Sequence, residues 1–250
     1  DMGTLIGTTG ADTATMASAT VSVSGIESIV GSAGSTDVLS LTSGGAIDVT
    51  DVETVLGAAG AVDTVTFGDT GTHAVSSVES VVGTSGTDVL QLLAGGGVAI
   101  TTIETVLGST GTDVVTMLTA GTLAVSDVES VIGSADTTDE ITMLTEGTIS
   151  LAGIESVTGT TGDDRVNIAG GGSITVSGGS DAVDSIVGSN NAVEIVTLAA
   201  SAGSTVTVNM IDSVIGSAGS DVLRVGAGTI SVSAIESVLG TTGVAEVVQL

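Results

Sequence analysis

Residues 77–92 read SVESVVGTSGTDVLQL, and residues 102–117 read TIETVLGSTGTDVVTM. Two apolar positions flank an acid, a Gly closes the phrase, a Gly-punctuated turn ends in Asp, and an alternating apolar–polar run follows. The opening phrase returns as GIESIVG (25–31), DVETVLG (51–57), DVESVIG (127–133), GIESVTG (153–159) and AIESVLG (234–240). Two further copies, AVDSIVG (182–188) and MIDSVIG (210–216), carry Asp in place of Glu, and DMGTLIG at 1–7 is a divergent first copy. The acids fall at 27, 53, 79, 104, 129, 155, 184, 212 and 236, so the spacings are 26, 26, 25, 25, 26, 29, 28 and 24. A spread this narrow marks one supersecondary unit repeated about ten times.

The unit reads as strand. Pro is absent, Gly punctuates every copy and β-branched residues dominate, which disfavours helix and favours short strands between turns. Three strands per unit are expected. The first is the phrase itself, the second follows the Asp, and the third precedes the next phrase, as in Gly121–Val125 or Gly228–Val232. In the second strand the pairs Leu39/Leu41, Val65/Phe67, Leu90/Leu92, Val115/Met117, Ile141/Met143, Val166/Ile168, Val196/Leu198 and Leu223/Val225 bracket one polar residue each. One face is therefore dry and the other wet. The phrase is less decisive: strict alternation from Val78 would turn Val81 outward, whereas a bend at Ser80 would turn it in.

A unit of 25 residues cannot bury its apolar face alone, but stacked units can. The pattern predicts an all-β, right-handed parallel β-solenoid over 1–250, a single repeat domain of about ten coils with three short strands per coil. Its length would be about 48 Å at ~4.8 Å per coil. The hand follows the crossover rule. Neither end carries a helix, Pro or charge cluster that would cap the stack, which predicts head-to-tail association.

Composition narrows the function. The chain has 29 acids against two bases, Arg165 and Arg224, for a net charge of -27, yet 42% of its residues are apolar. Nucleic-acid binding needs cations to meet phosphates, so it is excluded, and no apolar run is long enough for a membrane helix. With no Cys and one His, thiolate chemistry and His-rich metal centres are absent as well. His73 occupies the slot held elsewhere by Ile47, Leu123 and Ile149, a core position rather than a catalytic one. The two Arg are expected to bridge acids on neighbouring coils. No enzyme and no small-molecule substrate are expected.

Stacking places like on like. The Glu27-to-Glu236 series would form a column at ~4.8 Å spacing, each neighbouring pair repelling by ~0.9 kcal/mol in water. A second column follows the turns GTTGAD (7–12), GTSGTD (83–88), GSTGTD (108–113), GTTGDD (159–164) and GSAGSD (216–221). These G-x-x-G-x-D turns resemble degenerate hemolysin-type (RTX) calcium-binding repeats, G-G-x-G-x-D-x-U-x. The resemblance implies calcium between stacked turns, held by Asp12, Asp88, Asp113, Asp164 and Asp221 and by carbonyls around Gly86, Gly111, Gly162 and Gly219. The departures are that position two is Ser or Thr, the turn comes once per unit rather than every nine residues, and half the turns vary in length or lose a Gly. The expectation is an extracellular structural repeat protein of a bacterial surface, assembling with copies of itself into a filament, sheath or layer and stabilised by calcium. The alternative is the stalk of a large secreted adhesin or toxin.

Overall fold

The computed structural model describes residues 4–17, 19–34, 36–177, 183–189, 193–199, 203–242 and 245–250. The start of the first phrase copy, Ala182 of another and the middle of the 188–194 turn lie outside them. The described residues form a parallel β-solenoid with no helix. The chain falls into two compact units, residues 1–119 and 120–250.

In the first unit the chain alternates strand by strand between two parallel sheets. The first sheet runs Thr4–Ile6, Thr20–Ser24, Val38–Leu41, Thr54–Leu56, Gly71–Ser76, Asp88–Leu92 and Thr105–Leu107. The second runs Thr13–Thr15, Ser28–Val30, Gly45–Thr50, Asp63–Phe67, Ser80–Val82, Gly96–Thr101 and Asp113–Met117. The second unit repeats the scheme. Its first sheet starts at Thr122–Ser126 and Glu140–Met143, and its second at Ser130–Ile132 and Gly147–Ala152.

A turn thus holds two strands, not three. Ser80 pairs with Thr64, 16 residues back, and with Ala99, 19 residues on, while Ala99 pairs with Thr116, 17 further. The solenoid makes about 13 turns, not about ten. The three-strand sequence repeat therefore spans one and a half turns, and consecutive copies face opposite sheets. In the first unit the phrases of Glu27 and Glu79 enter the second sheet, and those of Glu53 and Glu104 the first. The expected Glu column at single-turn spacing does not exist. Glu27 and Glu79 are separated by three strand steps, about 14 Å, beyond a Debye length at physiological salt.

The core is the slab between the sheets. Every inward pair expected from the second strand is buried, with Leu39, Val65, Leu90, Val115, Val166, Val196 and Leu223 fully so. Phe67 and His73, the two rings of the core, stack with centroids 3.9 Å apart.

The phrase bends. Val78 and Val81 are both buried, and Ser77 ahead of them adopts φ 55°. Asp51, Thr102, Asp127, Met210 and Ala234 hold the same left-handed conformation at equivalent positions. This corner turns Ile29, Val55, Val81 and Val106 inward, so these residues form no apolar stripe on the outside. The Gly that closes each phrase is fixed by close approach. A Cβ on Gly83 would lie 2.1 Å from the Thr102 carbonyl oxygen, and one on Gly57 1.8 Å from that of Ser77. Any side chain there would push apart two successive corners.

The absence of native Cys makes the register directly testable by pyrene labelling. Thr64→Cys with Ser80→Cys is expected to give strong excimer fluorescence from neighbouring strands of one sheet. Ser80→Cys with Thr105→Cys, equivalent residues of consecutive repeats, is expected to give none, because the two stand on opposite sheets. Strong excimer from the second pair would restore one repeat per turn.

Candidate functional site, the carboxylate corners

The acids predicted as metal ligands sit at the corners where the second strand of each repeat begins. Asp37, Asp63, Asp88, Asp113, Asp139, Asp164 and Asp221 are buried, as is Glu194 in the same slot, whereas Asp12 is partly exposed. Burial of a carboxylate without a cation is costly unless hydrogen bonds replace water. Here they do, from two directions, and a third link ties down the backbone of the same residue.

The first donors come from the turn. Asp164 Oδ2 accepts the Thr160 N–H at 2.6 Å and the Thr160 hydroxyl at 2.8 Å. Asp221 has the same contacts from Ser217, at 2.6 and 2.9 Å, and Asp88 from Thr84, at 2.7 and 2.9 Å. The hydroxyl in turn accepts the N–H of the second Gly of the motif. Gly86, Gly111, Gly162 and Gly219 donate at 3.0, 3.0, 3.0 and 3.1 Å respectively. This is why Ser or Thr stands where the hemolysin-type motif has Gly: the hydroxyl relays between Gly N–H and Asp carboxylate.

The second donors come from a neighbouring strand. Asp164 Oδ1 accepts the Gly147 N–H at 3.2 Å, Asp221 Oδ1 that of Ser204 at 2.8 Å, and Asp37 Oδ1 that of Ala19 at 3.0 Å. The third link runs to the phrase acid on the other side. Asp88 N–H donates to Glu104 Oε2 at 2.7 Å, and Glu104 N–H donates back to the Asp88 carbonyl at 3.2 Å. The same reciprocal clasp joins Asp63 to Glu79, Asp139 to Glu155, Asp164 to Asp184 and Glu194 to Asp212. The Glu of the phrase, read from sequence as a solvated column, is thus a cap on the strand start one turn below.

In the middle of the first unit the strand starts follow the order Gly, Asp, Glu, and nearer its beginning Ala19, Asp37 and Glu53 take the same places. The Gly, Asp, Glu order is held by Gly45, Asp63 and Glu79 on one side, and by Gly71, Asp88 and Glu104 on the other. The donors converging on each Asp are N–H and O–H groups, the arrangement that matches a bare carboxylate. Calcium needs six to eight oxygen ligands. A cation at Asp88, Asp113, Asp164 or Asp221 would meet amide hydrogens, and among the described residues no three acids or imidazoles converge on a metal-sized site. The carboxylate oxygens that take these amides are engaged by hydrogen-bond donors.

Among the described residues three buried side-chain oxygens have no hydrogen-bond partner: Asp63 Oδ1, Asp88 Oδ1 and Glu194 Oε2. At Asp63 the nearby Gly45 N–H is engaged by the Val62 carbonyl at 3.0 Å and favours the charge only weakly. Burial pushes the Asp63 carboxyl above its ordinary value of 3.8. The Ala58 amide opposes that, and the Glu79 carboxylate adds to it.

The remaining expected residues are structural or isolated. His73 is buried and faces two carbonyl oxygens, Val52 at 3.0 Å from Nδ1 and Asp69 at 3.3 Å from Nε2. Arg165 and Arg224 stand exposed on the second sheet of the second unit, opposite Thr148, Ser185, Thr207 and Leu239. Neither forms an ion pair among the described residues, so the expected bridges to acids are not made, because no acid stands in register with them. The corner clasp was missed in the sequence reading, though the recurring 15- to 16-residue step from turn Asp to phrase Glu was its signal. No protein-family model, curated protein or solved structure matches the chain.

Two outcomes follow from this chemistry. Asp164→Ala strands the Thr160 and Gly147 amides, each buried donor costing about 1–3 kcal/mol. Their hydrogen exchange is expected to quicken about 10- to 100-fold, equally in EDTA and in calcium; an unchanged rate would remove the carboxylate from its role. For Asp63 the sign is set by the upward shift. Folding raises its affinity for a proton, so its contribution to stability grows as pH falls through the folded value and is complete below 3.8, the unfolded value. A carboxyl NMR titration should place its midpoint above 3.8, and Asp63→Asn should flatten that part of the stability–pH curve.

Proposed function

We propose that this chain is a structural repeat protein acting outside the cell, a right-handed solenoid whose turns stack on those of further copies to build a surface filament, sheath or layer. The observation that carries the reading is the periodicity of the corner. The strand starts at a corner share partners with the strand on either side: Asp164 takes the Gly147 amide from one and gives its own N–H to Asp184 on the other, as Asp221 does with Ser204 and Glu236. A strand from a second chain presenting the same amide and the same carboxylate continues that sharing without a new kind of contact. Support also comes from the inventory. The short side chains leave a core of Val, Ile and Leu, and the acids of the turns are committed to backbone amides rather than aimed at a reacting centre. We read the chain as no enzyme.

Placement outside the cell rests on the lack of Cys and the charge of -27, which favours solubility as an extended surface. The likeness to hemolysin-type repeats is confined to the turn motif. We infer that stiffness comes from the carboxylate clasps, without a calcium requirement.

Negative-stain electron microscopy and light scattering of the purified chain test this, with and without EDTA. Concentration-dependent linear polymers that persist in EDTA are expected. Monodisperse single particles at every concentration would favour the stalk reading instead. Polymers that dissolve in EDTA would return calcium to the mechanism.

A further inference from the structure

The residue that follows the closing Gly of each phrase is Ser or Thr in nine of the ten copies and Ala58 in the other. Asp63, the acid that this turn serves, is fully buried and loses the hydroxyl that its equivalents receive. Its Oδ2 accepts the Ala58 N–H at 2.6 Å, and its Oδ1 has no partner among the described residues. Asp63 is thus the buried turn acid with the fewest donors.

The amide that could serve Oδ1 stands at the neighbouring strand start, and the structure shows that amide in two positions. At Asp37, Asp139, Asp164 and Asp221 it donates to the carboxylate Oδ1, from Ala19, Gly121, Gly147 and Ser204 respectively. Beside Asp63 the Gly45 amide donates instead to the carbonyl of Val62, the residue before the acid, at 3.0 Å. Gly172 does the same with Val193, but the Glu194 that follows keeps both donors of Ser189. A charged oxygen makes hydrogen bonds about twice as strong as a neutral one, so it would be expected to draw the Gly45 amide away from Val62.

We propose that the Asp63 corner is a proton-binding switch: with the proton in place Gly45 N–H stays on the Val62 carbonyl, and when the proton leaves to solvent that N–H swings onto Asp63 Oδ1, as in the corners of Asp164 and Asp221. Space for the swing exists, since even a Cβ added to Gly45 would meet nothing within 4 Å. The surroundings favour the neutral acid. Glu79 accepts the Asp63 N–H at 2.8 Å and sets a second carboxylate beside it. On the other side, strand 45–50 carries only the exposed Asp48, while turn 57–62 and strand 80–82 carry no charge. Burial pushes the Asp63 carboxyl above 3.8, the Ala58 amide opposes this, Glu79 adds to it and the Gly45 amide opposes it. The corner is therefore tightest in acid and loosens as pH rises through the folded value.

The test is NMR of the full chain from acid to neutral pH, following the Asp63 carboxyl carbon and the Gly45 amide together. The Gly147 amide, already on Asp164 Oδ1, is the reference for the swung position. Both Asp63 and Gly45 signals are expected to move with one midpoint above 3.8, and the through-hydrogen-bond coupling of Gly45 to the Val62 carbonyl carbon to vanish across it. Ala58→Ser returns the missing hydroxyl and is expected to lower that midpoint by about one pH unit, a tenfold gain for the ionised form. Asp63→Asn cannot ionise and is expected to keep the Val62 coupling at every pH. Circular dichroism confirms that each variant is folded. A Gly45 amide that stays on Val62 through the Asp63 transition, or an Ala58→Ser midpoint that does not move, overturns the proposal. An Asp63→Asn chain whose Gly45 leaves Val62 as pH rises does so as well. None of these signals depends on contact between copies, so the structural reading above stands or falls separately.

Discussion

A parallel turn of only two strands brings backbone amides at its corners onto a carboxylate that is buried in most copies. Everything else in this chain follows from how those amides are satisfied. The turn Asp takes the amide four or five residues back, the hydroxyl beside it, and an amide from the neighbouring strand. Its own N–H is taken by the phrase acid of the next turn. Charged acceptors make hydrogen bonds about twice as strong as neutral ones, which offsets the cost of bringing a carboxylate out of water.

That constraint explains features that read otherwise in isolation. Ser or Thr at the second motif position serves as a relay, the closing Gly of each phrase lets one corner lie against the next, and the left-handed residue before Val78 turns both Val78 and Val81 into the core. Strain of this kind costs on the order of 1 kcal/mol per residue and is tolerated because the burial of two Val side chains exceeds it.

Much of the fold was legible in the sequence, because alternation around Gln91 or Thr116 fixes which side chains enter the core. What could not be read was how many strands close a turn. Three strands per repeat are compatible with one turn of three or one and a half turns of two, and both preserve the same alternation. The inward turn of Val81 was hidden because Asp51, Ser77, Thr102 and Met210, not Gly, carry the left-handed conformation. The candidate site was legible only as a motif. Position and spacing of Asp88 and Asp164 were evident, but whether lone pairs face a cation or an amide depends on the direction of the N–H vectors, which the sequence does not encode.

The near absence of bases follows from the same chemistry. A Lys or Arg within reach of a corner carboxylate would compete with the amides for its lone pairs, and a guanidinium fork would draw the Asp out of its turn. The two Arg stand on a sheet face opposite Thr, Ser and Leu, where no acid is in register. Gathering most of the negative charge at corners that need acceptors leaves few charges on the sheets, Asp48, Arg165 and Arg224 among them. Repulsion between acids on one corner is kept tolerable because the strands starting with Gly interpose and the phrase acids are staggered over two sheets. A repeat of one and a half turns thus limits the repulsion without removing it. It leaves acids adjacent in pairs, as Asp63 with Glu79, and separates one such pair from the next by strand order.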